Sequence, residues 1–260
     1  MIAKQHSWRL ADADHEAVER AAAFLSLILR PGDVVGLTGD LGAGKTTFAR
    51  ALIGAFAGDG VGEVPSPTFS LLQTYATSRL EIRHFDLYRL RDIGEIDELG
   101  LLDGLAATLT LIEWPAIAAA LLPPSRFDVS LECADDPARR TLLITGTQAA
   151  GERLRRLEAI AGFAARSGFP ADPPRFLQGD ASRRAYARIG SGTRRHILVD
   201  SPPLGAGPTV RGGLSYNVLA HRAVDVRPFV AIAEELRRHG LSTPTIHAAD
   251  LDHGFLIVED

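Results

Sequence analysis

The stretch GDLGAGKT at residues 39–46 decides the fold, because it matches the pattern GxxxxGK[ST] at every fixed position. An apolar run at residues 33–38 precedes it and predicts a strand, and residues 47–56 predict a helix. A glycine-rich loop between a strand and a helix presents backbone N–H groups and the positive helix end to phosphate oxygens. The sequence therefore predicts an α/β fold with a phosphate-binding loop.

Two side chains of this loop carry the predicted chemistry. Lys45 is expected to reach the β- and γ-phosphates, and the Thr46 hydroxyl is expected to coordinate Mg²⁺. The single asparagine, Asn217, is not part of an Asn-Lys-x-Asp segment of the kind that recognises guanine, so ATP is favoured over GTP. The predicted nucleotide-binding residues are Gly39, Leu41, Gly42, Ala43, Gly44, Lys45, Thr46, Thr47 and Thr68.

Two acidic residues end strand-like stretches downstream of the loop. Asp86 lies in HFDLYR at residues 84–89, and Glu113 ends the apolar run at residues 109–113. An acid at the carboxyl end of a parallel strand can hold Mg²⁺ or a catalytic water. An ion pair with a neighbouring arginine is the alternative for Asp86, and an exposed strand end is the alternative for Glu113. His84 is either a partner of such a residue or a hydrogen-bonded core histidine, and the sequence leaves both open.

Composition excludes several classes of protein. The net charge of −4 argues against a protein that coats nucleic acid. The single cysteine, Cys133, excludes a disulfide scaffold and a multi-cysteine zinc site, and we expect it to be buried in a strand over 127–133. The sequence shows neither a secretory pattern nor an apolar run that could span a bilayer, so we expect a cytoplasmic protein without membrane contact.

Charge and residue usage divide the chain near residue 150. Residues 1–150 carry 13 Lys and Arg against 20 Asp and Glu, and residues 151–260 carry 15 against 12. Asp14 is the expected N-cap of a first helix. Helices are predicted at 15–30, 47–56, 93–105, 115–122, 151–166 and 228–239, strands at 33–38, 69–76, 80–88, 109–114, 127–133, 140–145, 176–189, 196–200 and 254–259, and a mobile loop at 201–214.

Five segments in order carry a close resemblance to a known family. GDLGAGKTT (39–47), SPTF (66–69), HFDLYR (84–89), DELG (97–100) and LIEWP (111–115) resemble the TsaE family of bacterial ATPases, also called YjeE, over about residues 7–147. The resemblance implies a phosphate-loop NTPase with a central, mostly parallel sheet. It also implies a role in threonylcarbamoyladenosine modification of tRNA beside the anticodon, together with TsaB and TsaD.

The same resemblance assigns roles to the residues of the site. Lys45, Asp86 and Glu113 are implied to be catalytic, and Thr46, Asp86 and Glu113 to serve Mg²⁺. Thr68 is implied to be a switch threonine that senses the nucleotide. An acid often follows LIEWP in the family, whereas this chain has Ala116, to which no role is assigned. The acidic first half favours docking onto protein partners, with tRNA contact indirect or weak.

The second half resembles a different family. Residues 176–260 are similar to the N-terminal lobe of aminoglycoside- and choline-type phosphotransferases, which implies an incomplete α+β kinase-like lobe over 151–260. Residues 179–184 would form its phosphate-covering turn and residues 256–260 its hinge. No lysine follows Lys45, and the segments that supply a kinase's catalytic Asp are absent, so an inactive remnant is favoured.

Two alternatives to an ATPase subunit stay open at this point. One is a bifunctional protein with a sugar or aminoglycoside-like phosphotransferase whose large lobe is missing. The other is a nucleotide-dependent binding module without significant turnover.

Overall fold

A computed structural model describes residues 5–57, 64–169, 173–178, 184–190, 192, 194–204, 207–220 and 223–260. Contacts divide the chain into two compact units, Met1–Ala159 and Ile160–Asp260. The boundary predicted near residue 150 therefore lies inside a helix and nine residues before the division between the units. The assignment of the two halves to separate domains stays a prediction.

The first unit alternates strands and helices. In chain order its elements are β1 (Gln5–Ala13), α1 (His15–Ile28), β2 (Val34–Thr38), α2 (Lys45–Ala57), β3 (Leu72–Ala76), β4 (Glu81–Asp86), α3 (Gly94–Glu98), β5 (Thr108–Glu113), a 3₁₀ turn at Pro115–Ala118, β6 (Phe127–Cys133), β7 (Arg140–Thr147) and the first part of α4 (Gln148–Arg166).

Seven strands form one sheet in the order β1-β7-β6-β2-β5-β4-β3. Strands β6, β2, β5 and β4 are parallel to one another, and β3 and β7 are antiparallel to their neighbours. Because β1 is antiparallel to β7, it runs in the same direction as β6. Five of the seven strands therefore share one direction, which confirms the predicted α/β fold with a mostly parallel sheet.

The centre of this sheet is covered on both faces. Every residue of β5 is buried, and so are Val34, Val35 and Leu37 of β2. Continuous apolar strands of this kind are typical of parallel sheets between layers of helices. One cluster includes Val34, Phe85 and Ile112, with Leu122 and Leu101 from the connections. The carboxyl ends of the central strands are thereby fixed by packing.

Helix α1 forms where the sequence predicts it. The Asp14 side chain accepts a hydrogen bond from Ala17 N at 2.9 Å, which confirms the predicted N-cap. The buried residues Val18, Ala21, Ala22 and Leu25 recur at helical spacing, and α1 packs against α2. The helix ends before Pro31-Gly32, where Gly32 takes φ +90° to turn the chain into β2.

Several local predictions for the first unit are wrong. The helix predicted at 93–105 is restricted to Gly94–Glu98, and that at 115–122 to one 3₁₀ turn. Gly100 and Gly104, with φ of +61° and +68°, explain the first difference, because this backbone conformation interrupts a helix. The sequence did not predict strand β1, because this strand at the edge of the sheet carries mostly exposed polar residues and has no apolar run. Cys133 is exposed, because β6 ends there at the hairpin.

The second unit is built on antiparallel pairing. Its elements are the second part of α4, β8 (Arg175–Leu177), β9 (Ala185–Ile189), β10 (His196–Asp200), β11 (Thr209–Arg211), β12 (Leu214–Ser215), α5 (Tyr216–Leu219), α6 (Arg227–Arg238), β13 (Ile246–Asp250) and β14 (Phe255–Glu259). Five strands form a sheet in the order β13-β14-β10-β9-β8, and β11 and β12 pair separately. Every pairing in both sheets is antiparallel.

The strands at the centre of the second sheet are buried on both faces. Phe255, Leu256, Ile257 and Val258 of β14 are all buried, although successive residues point to opposite faces. The Phe163 ring of α4 lies 5.8 Å from the Phe255 ring, and Val226 and Val230 pack with Leu256 and Val258. Exposed apolar residues of this unit include Phe229, Ile232, Leu236 and Leu241 on and beside α6, and Val210, Leu214, Tyr216 and Leu219 on β11, β12 and α5.

Some predictions fall on residues that the structure does not describe. The phosphate-covering turn predicted at 179–184 lies outside the described residues except for Arg184, and so does part of the loop predicted at 201–214. The described part of that loop contains β11 and the start of β12. No described helix has the length and apolar character that crossing a bilayer requires.

Candidate active site

The backbone of the loop between β2 and α2 turns tightly at three glycines. Gly39, Gly42 and Gly44 have φ of +137°, +80° and +105°, a conformation that glycine adopts without steric cost. A Cβ at Gly39 would lie 2.2 Å from the Leu131 carbonyl oxygen, so no other residue fits there. Arg140 supports the loop from β7, because its Nε donates to the Ala43 carbonyl oxygen at 2.9 Å.

Lys45 begins α2, and its side chain is buried. Its Nζ donates to the carbonyl oxygens of Gly39 and Asp40, each at 2.8 Å, and lies 3.7 Å from the centre of the Trp114 ring. Burial lowers the pKa of the Lys45 ammonium, and the carboxylates of Glu113, Asp86 and Asp40 act in the opposite direction. A cation in such a desolvated position attracts an incoming anion more strongly than one in water.

Two carboxylates lie side by side at the same edge of the sheet. The parallel register of β4 and β5 pairs Asp86 with Glu113, and that of β2 and β5 pairs Leu37 with Glu113. Since the loop follows β2 directly, the ends of these three strands bring both acids beside it. Asp86 and Glu113 are both buried. In an open α/β sheet, this edge is where ligands bind.

Glu113 connects the loop to the strand beyond it. Its Oε2 accepts a hydrogen bond from Thr46 Oγ1 at 3.0 Å, and its Oε1 lies 3.0 Å from His84 Nε2. His84 is fully buried. The sequence left open whether His84 is a partner of a site residue or a hydrogen-bonded core histidine. In the structure, His84 contacts the candidate site residue Glu113.

Asp86 is held by the segment that precedes β3. Thr68 Oγ1 donates to its Oδ2 at 2.9 Å, and Ser66 Oγ lies 3.4 Å from the same atom. The backbone N–H of Tyr88 donates to Oδ1 at 3.0 Å. The Tyr88 ring lies 4.9 Å from the Trp114 ring, which places an aromatic pair beside Lys45.

The oxygen atoms at this edge fit Mg²⁺. Thr46, Glu113 and Asp86 offer a hydroxyl and two carboxylates, which are ligands that Mg²⁺ prefers. Within the described part of the chain, no three His, Cys, Asp or Glu side chains converge on a metal position. Mg²⁺ needs no such protein cage, because it is commonly bound by one or two carboxylates together with substrate phosphates and water.

A cleft of about 120 Å³ adjoins the loop. It is lined by Ala43 and Gly44 of the loop and by side chains that include His15, Thr47, Leu131 and Arg140. Sequence reasoning missed His15 and Arg140, because no spacing pattern links them to the loop.

The structure brings the predicted site residues together. Gly39, Gly42, Ala43 and Gly44 form the loop, Thr46 and Thr47 follow Lys45 on α2, and Thr68 contacts Asp86. The Leu41 side chain is 77% exposed, and its predicted contact with a nucleotide stays a prediction. Their roles in binding and catalysis stay predictions.

Comparisons with known proteins identify similar proteins for the first part of the chain. The profile of the family "Threonylcarbamoyl adenosine biosynthesis protein TsaE" matches residues 12–142. The "tRNA threonylcarbamoyladenosine biosynthesis protein TsaE" of Rickettsia felis is 46% identical over 134 residues, which cover 52% of this chain and 78% of the relative. The protein of the same name from Bacillus subtilis is 36% identical over 138 residues, 52% of this chain and 83% of the relative.

A solved structure is also similar. The crystal structure of Bacillus subtilis YdiB aligns with a TM-score of 0.48 and 28% sequence identity. The alignment covers 61% of this chain and 97% of YdiB.

Proposed function

Because this chain belongs to the TsaE family, whose members are phosphate-loop ATPases that support tRNA modification, we propose that it is the Mg²⁺-dependent ATPase required for threonylcarbamoyladenosine formation on tRNA. The observation that carries the proposal is the convergence of Lys45, Thr46, Asp86 and Glu113 at the carboxyl edge of one sheet. These residues combine an ammonium, a hydroxyl and two carboxylates beside a phosphate-binding loop.

Each side chain has a distinct part in the proposed site. The loop N–H groups and the Lys45 ammonium bind the phosphates and offset their negative charge. Thr46, Asp86 and Glu113 hold Mg²⁺, which when bound neutralises charge on the β- and γ-phosphate oxygens. The nucleoside occupies the cleft lined by His15, Thr47 and Arg140, because this cleft continues directly from Gly44.

The segment before β3 is the proposed nucleotide sensor. Ser66 and Thr68 are hydrogen-bonded to each other at 2.7 Å, and both contact Asp86. A change at Asp86 on nucleotide binding would therefore reach this segment directly. Phe69, which follows Thr68, is 86% exposed. The Arg89 Cζ atom lies 4.7 Å from the centre of the Phe69 ring.

The proposed partners are TsaB and TsaD. An acidic first half, with a net charge of −7 over residues 1–150, favours protein partners over direct binding of the tRNA backbone. Exposed Leu41, Phe69 and Tyr88 on segments of the site supply apolar surface that a partner could cover. Contact with tRNA is then indirect or weak.

For residues 151–260 we propose a fold like the N-terminal lobe of phosphotransferases. A five-stranded antiparallel sheet with helix α6 supports this assignment. No charged side chain is buried among the described residues of 160–260, and no lysine exists there. A phosphotransferase activity of this chain therefore has no supporting observation.

Hydrolysis measured with the full-length chain tests the proposal. ATP, Mg²⁺, unmodified tRNA and an activated threonylcarbamoyl donor are supplied with and without purified TsaB and TsaD, and threonylcarbamoyladenosine is quantified in the tRNA by mass spectrometry. We expect Mg²⁺-dependent ADP release and modified tRNA when the three proteins are combined. Nucleotide binding without turnover, even with both partners, would instead favour the binding module. Modification that proceeds equally without this chain would contradict the proposal.

A further inference from the structure

His84 and Glu113 are diagonal neighbours on adjacent strands. His84 lies on β4 two residues before Asp86, so the two side chains share one face of the sheet. The register sets Asp86 opposite Glu113 and His84 opposite Leu111. Glu113 therefore has a second carboxylate directly beside it and an imidazole at the diagonal position.

Separate hydrogen bonds hold the two carboxylates apart. Like charges at directly opposite positions repel each other. Asp86 is held by Thr68 and Tyr88 N, whereas Glu113 has Thr46 at one oxygen and His84 at the other, each at 3.0 Å. The orientation of Glu113 therefore depends on both of its partners.

The His84 ring makes one polar contact within the described residues, and that contact is to Glu113. An ionised carboxylate only accepts hydrogen bonds, so the ring donates through Nε2–H. Nδ1 is buried and has no hydrogen-bond partner among the described residues. A buried polar atom without a partner costs stability, which an apolar side chain of similar size would avoid. The contact with Glu113 is the feature that only this imidazole supplies.

We propose that His84 is a positioning residue that holds Glu113 toward Thr46 and toward the Mg²⁺ that Thr46 binds. This proposal rests on the proposed function. Without His84, the Glu113 carboxylate keeps one hydrogen-bond donor, the Thr46 hydroxyl. In the proposed site, the oxygen of that hydroxyl is itself a ligand of Mg²⁺. Loss of a side chain that orients a metal ligand typically lowers metal affinity or activity about 10- to 100-fold.

Calorimetric titration of the full-length protein tests this role. A non-hydrolysable ATP analogue is titrated in Mg²⁺ and in EDTA. For His84→Leu we expect the Mg²⁺-dependent gain in affinity to fall about 10-fold or more, with metal-free affinity nearly unchanged. His84→Gln keeps an N–H donor and should recover most of that gain. An unchanged gain in the leucine variant, or a glutamine variant no better than leucine, would overturn the proposal.

His6→Gln is the matched control. His6 also contacts a glutamate, with Nε2 2.6 Å from Glu158 Oε2, but it lies on the edge strand β1. We expect its Mg²⁺-dependent gain to equal that of the wild type. A loss as large as that of His84→Leu would show that the effect is general destabilisation.

A double-mutant comparison separates action through Glu113 from a structural role. If His84 acts through Glu113, adding His84→Leu to Glu113→Gln produces no further loss of Mg²⁺-dependent affinity. An additive loss would contradict the positioning role. Thermal unfolding of each variant establishes that it is folded.

Nitrogen NMR tests the contact between His84 and Glu113 without requiring ATP turnover. With ¹⁵N-labelled histidine, the His84 ring, assigned by its disappearance in His84→Gln, should carry its proton on Nε2. Its signals should shift in Glu113→Gln. A ring protonated on Nδ1 alone would overturn the contact. A protein that shows the contact but hydrolyses no ATP would refute the proposed function and not the contact.

Discussion

The two units of this chain place their ionisable side chains in opposite environments. In Met1–Ala159, the side chains of Asp33, Lys45, His84, Asp86 and Glu113 are buried. In the described part of Ile160–Asp260, the buried polar residues are Ser201 and Asn217, which carry no charge. The ion pairs of the second unit lie at its surface, as between Arg227 and Asp252 at 2.5 Å.

This difference indicates that the first unit contains the proposed reactive site, whereas the described part of the second unit is stabilised by apolar packing. Burying a charge is costly unless it is paired or hydrogen-bonded. Among the described residues of the first unit, four of the five buried ionisable side chains converge beside the phosphate loop, and the fifth, Asp33, pairs with Arg153. The described residues of the second unit avoid this cost, because their interior is apolar.

Truncation should give the largest effect, and it depends on where the chain is cut. Helix α4 carries the buried residues Leu154 and Leu157, and Arg153 donates to both oxygens of Asp33 at 2.5 and 2.7 Å. A fragment of residues 1–150 loses these groups, at a cost of about 2 kcal/mol for each leucine. It also leaves Asp33 without its cation, so it should be largely unfolded.

A fragment of residues 1–159 keeps these contacts and is the matched control. We expect it to unfold cooperatively and to hydrolyse ATP with TsaB and TsaD at a rate close to that of the full chain. Circular dichroism melting and the hydrolysis assay compare the two fragments. A stable 1–150 fragment would show that α4 is dispensable, and an inactive but folded 1–159 fragment would show that activity requires the second unit.

Removal of one buried and one exposed cation compares the units directly. Lys45→Ala should lower ATP turnover at least about 10²- to 10³-fold, because the phosphates lose a preorganised positive charge. Arg227→Ala removes a cation that contacts Asp225 and Asp252 at the surface, and ATP turnover should be unchanged. Steady-state hydrolysis with both partners measures the two effects. Normal turnover in Lys45→Ala would remove the basis for the proposed site.

Neutralising the strand-end acids should have a slightly smaller effect. Asp86→Asn and Glu113→Gln each remove one charge at nearly constant shape, and we expect about a 100-fold loss of Mg²⁺-dependent hydrolysis. Unfolding temperatures should not fall, because removing one of two neighbouring like charges relieves repulsion. Hydrolysis across a Mg²⁺ titration is the measurement. Two fully active variants would leave these carboxylates with a structural role alone.

The smallest effect should come from the surface of α6. Phe229, Ile232 and Leu236 recur at a spacing that places them on one side of the helix, and Ile232 is 59% exposed. Exposed apolar stripes favour association. Ile232→Ser should therefore reduce self-association of the full chain, measured by light scattering at increasing concentration, without changing ATP turnover. Equal scattering from both proteins would place the associating surface elsewhere.

Sequence patterns predicted the elements whose signals are local. The N-cap at Asp14, the strand before the phosphate loop and the helix after it depend on residues within one short stretch, and all three are present. The patterns failed where a non-local contact decides. Strand β1 exists because it pairs with β7, and the strand β13 because it pairs with β14. Neither edge strand has an apolar run of its own.

The sequence by itself determined the phosphate loop, since glycine spacing and one lysine prescribe its backbone, and it determined the family through the order of five short segments. Only the tertiary structure decided which side chains surround that loop. Glu113 reaches Thr46 and His84 because β5 lies between β2 and β4 in parallel register. Arg140 reaches Ala43 across 97 positions. Side-chain alternation along a strand specifies a face, but strand order and register arise from packing among distant segments.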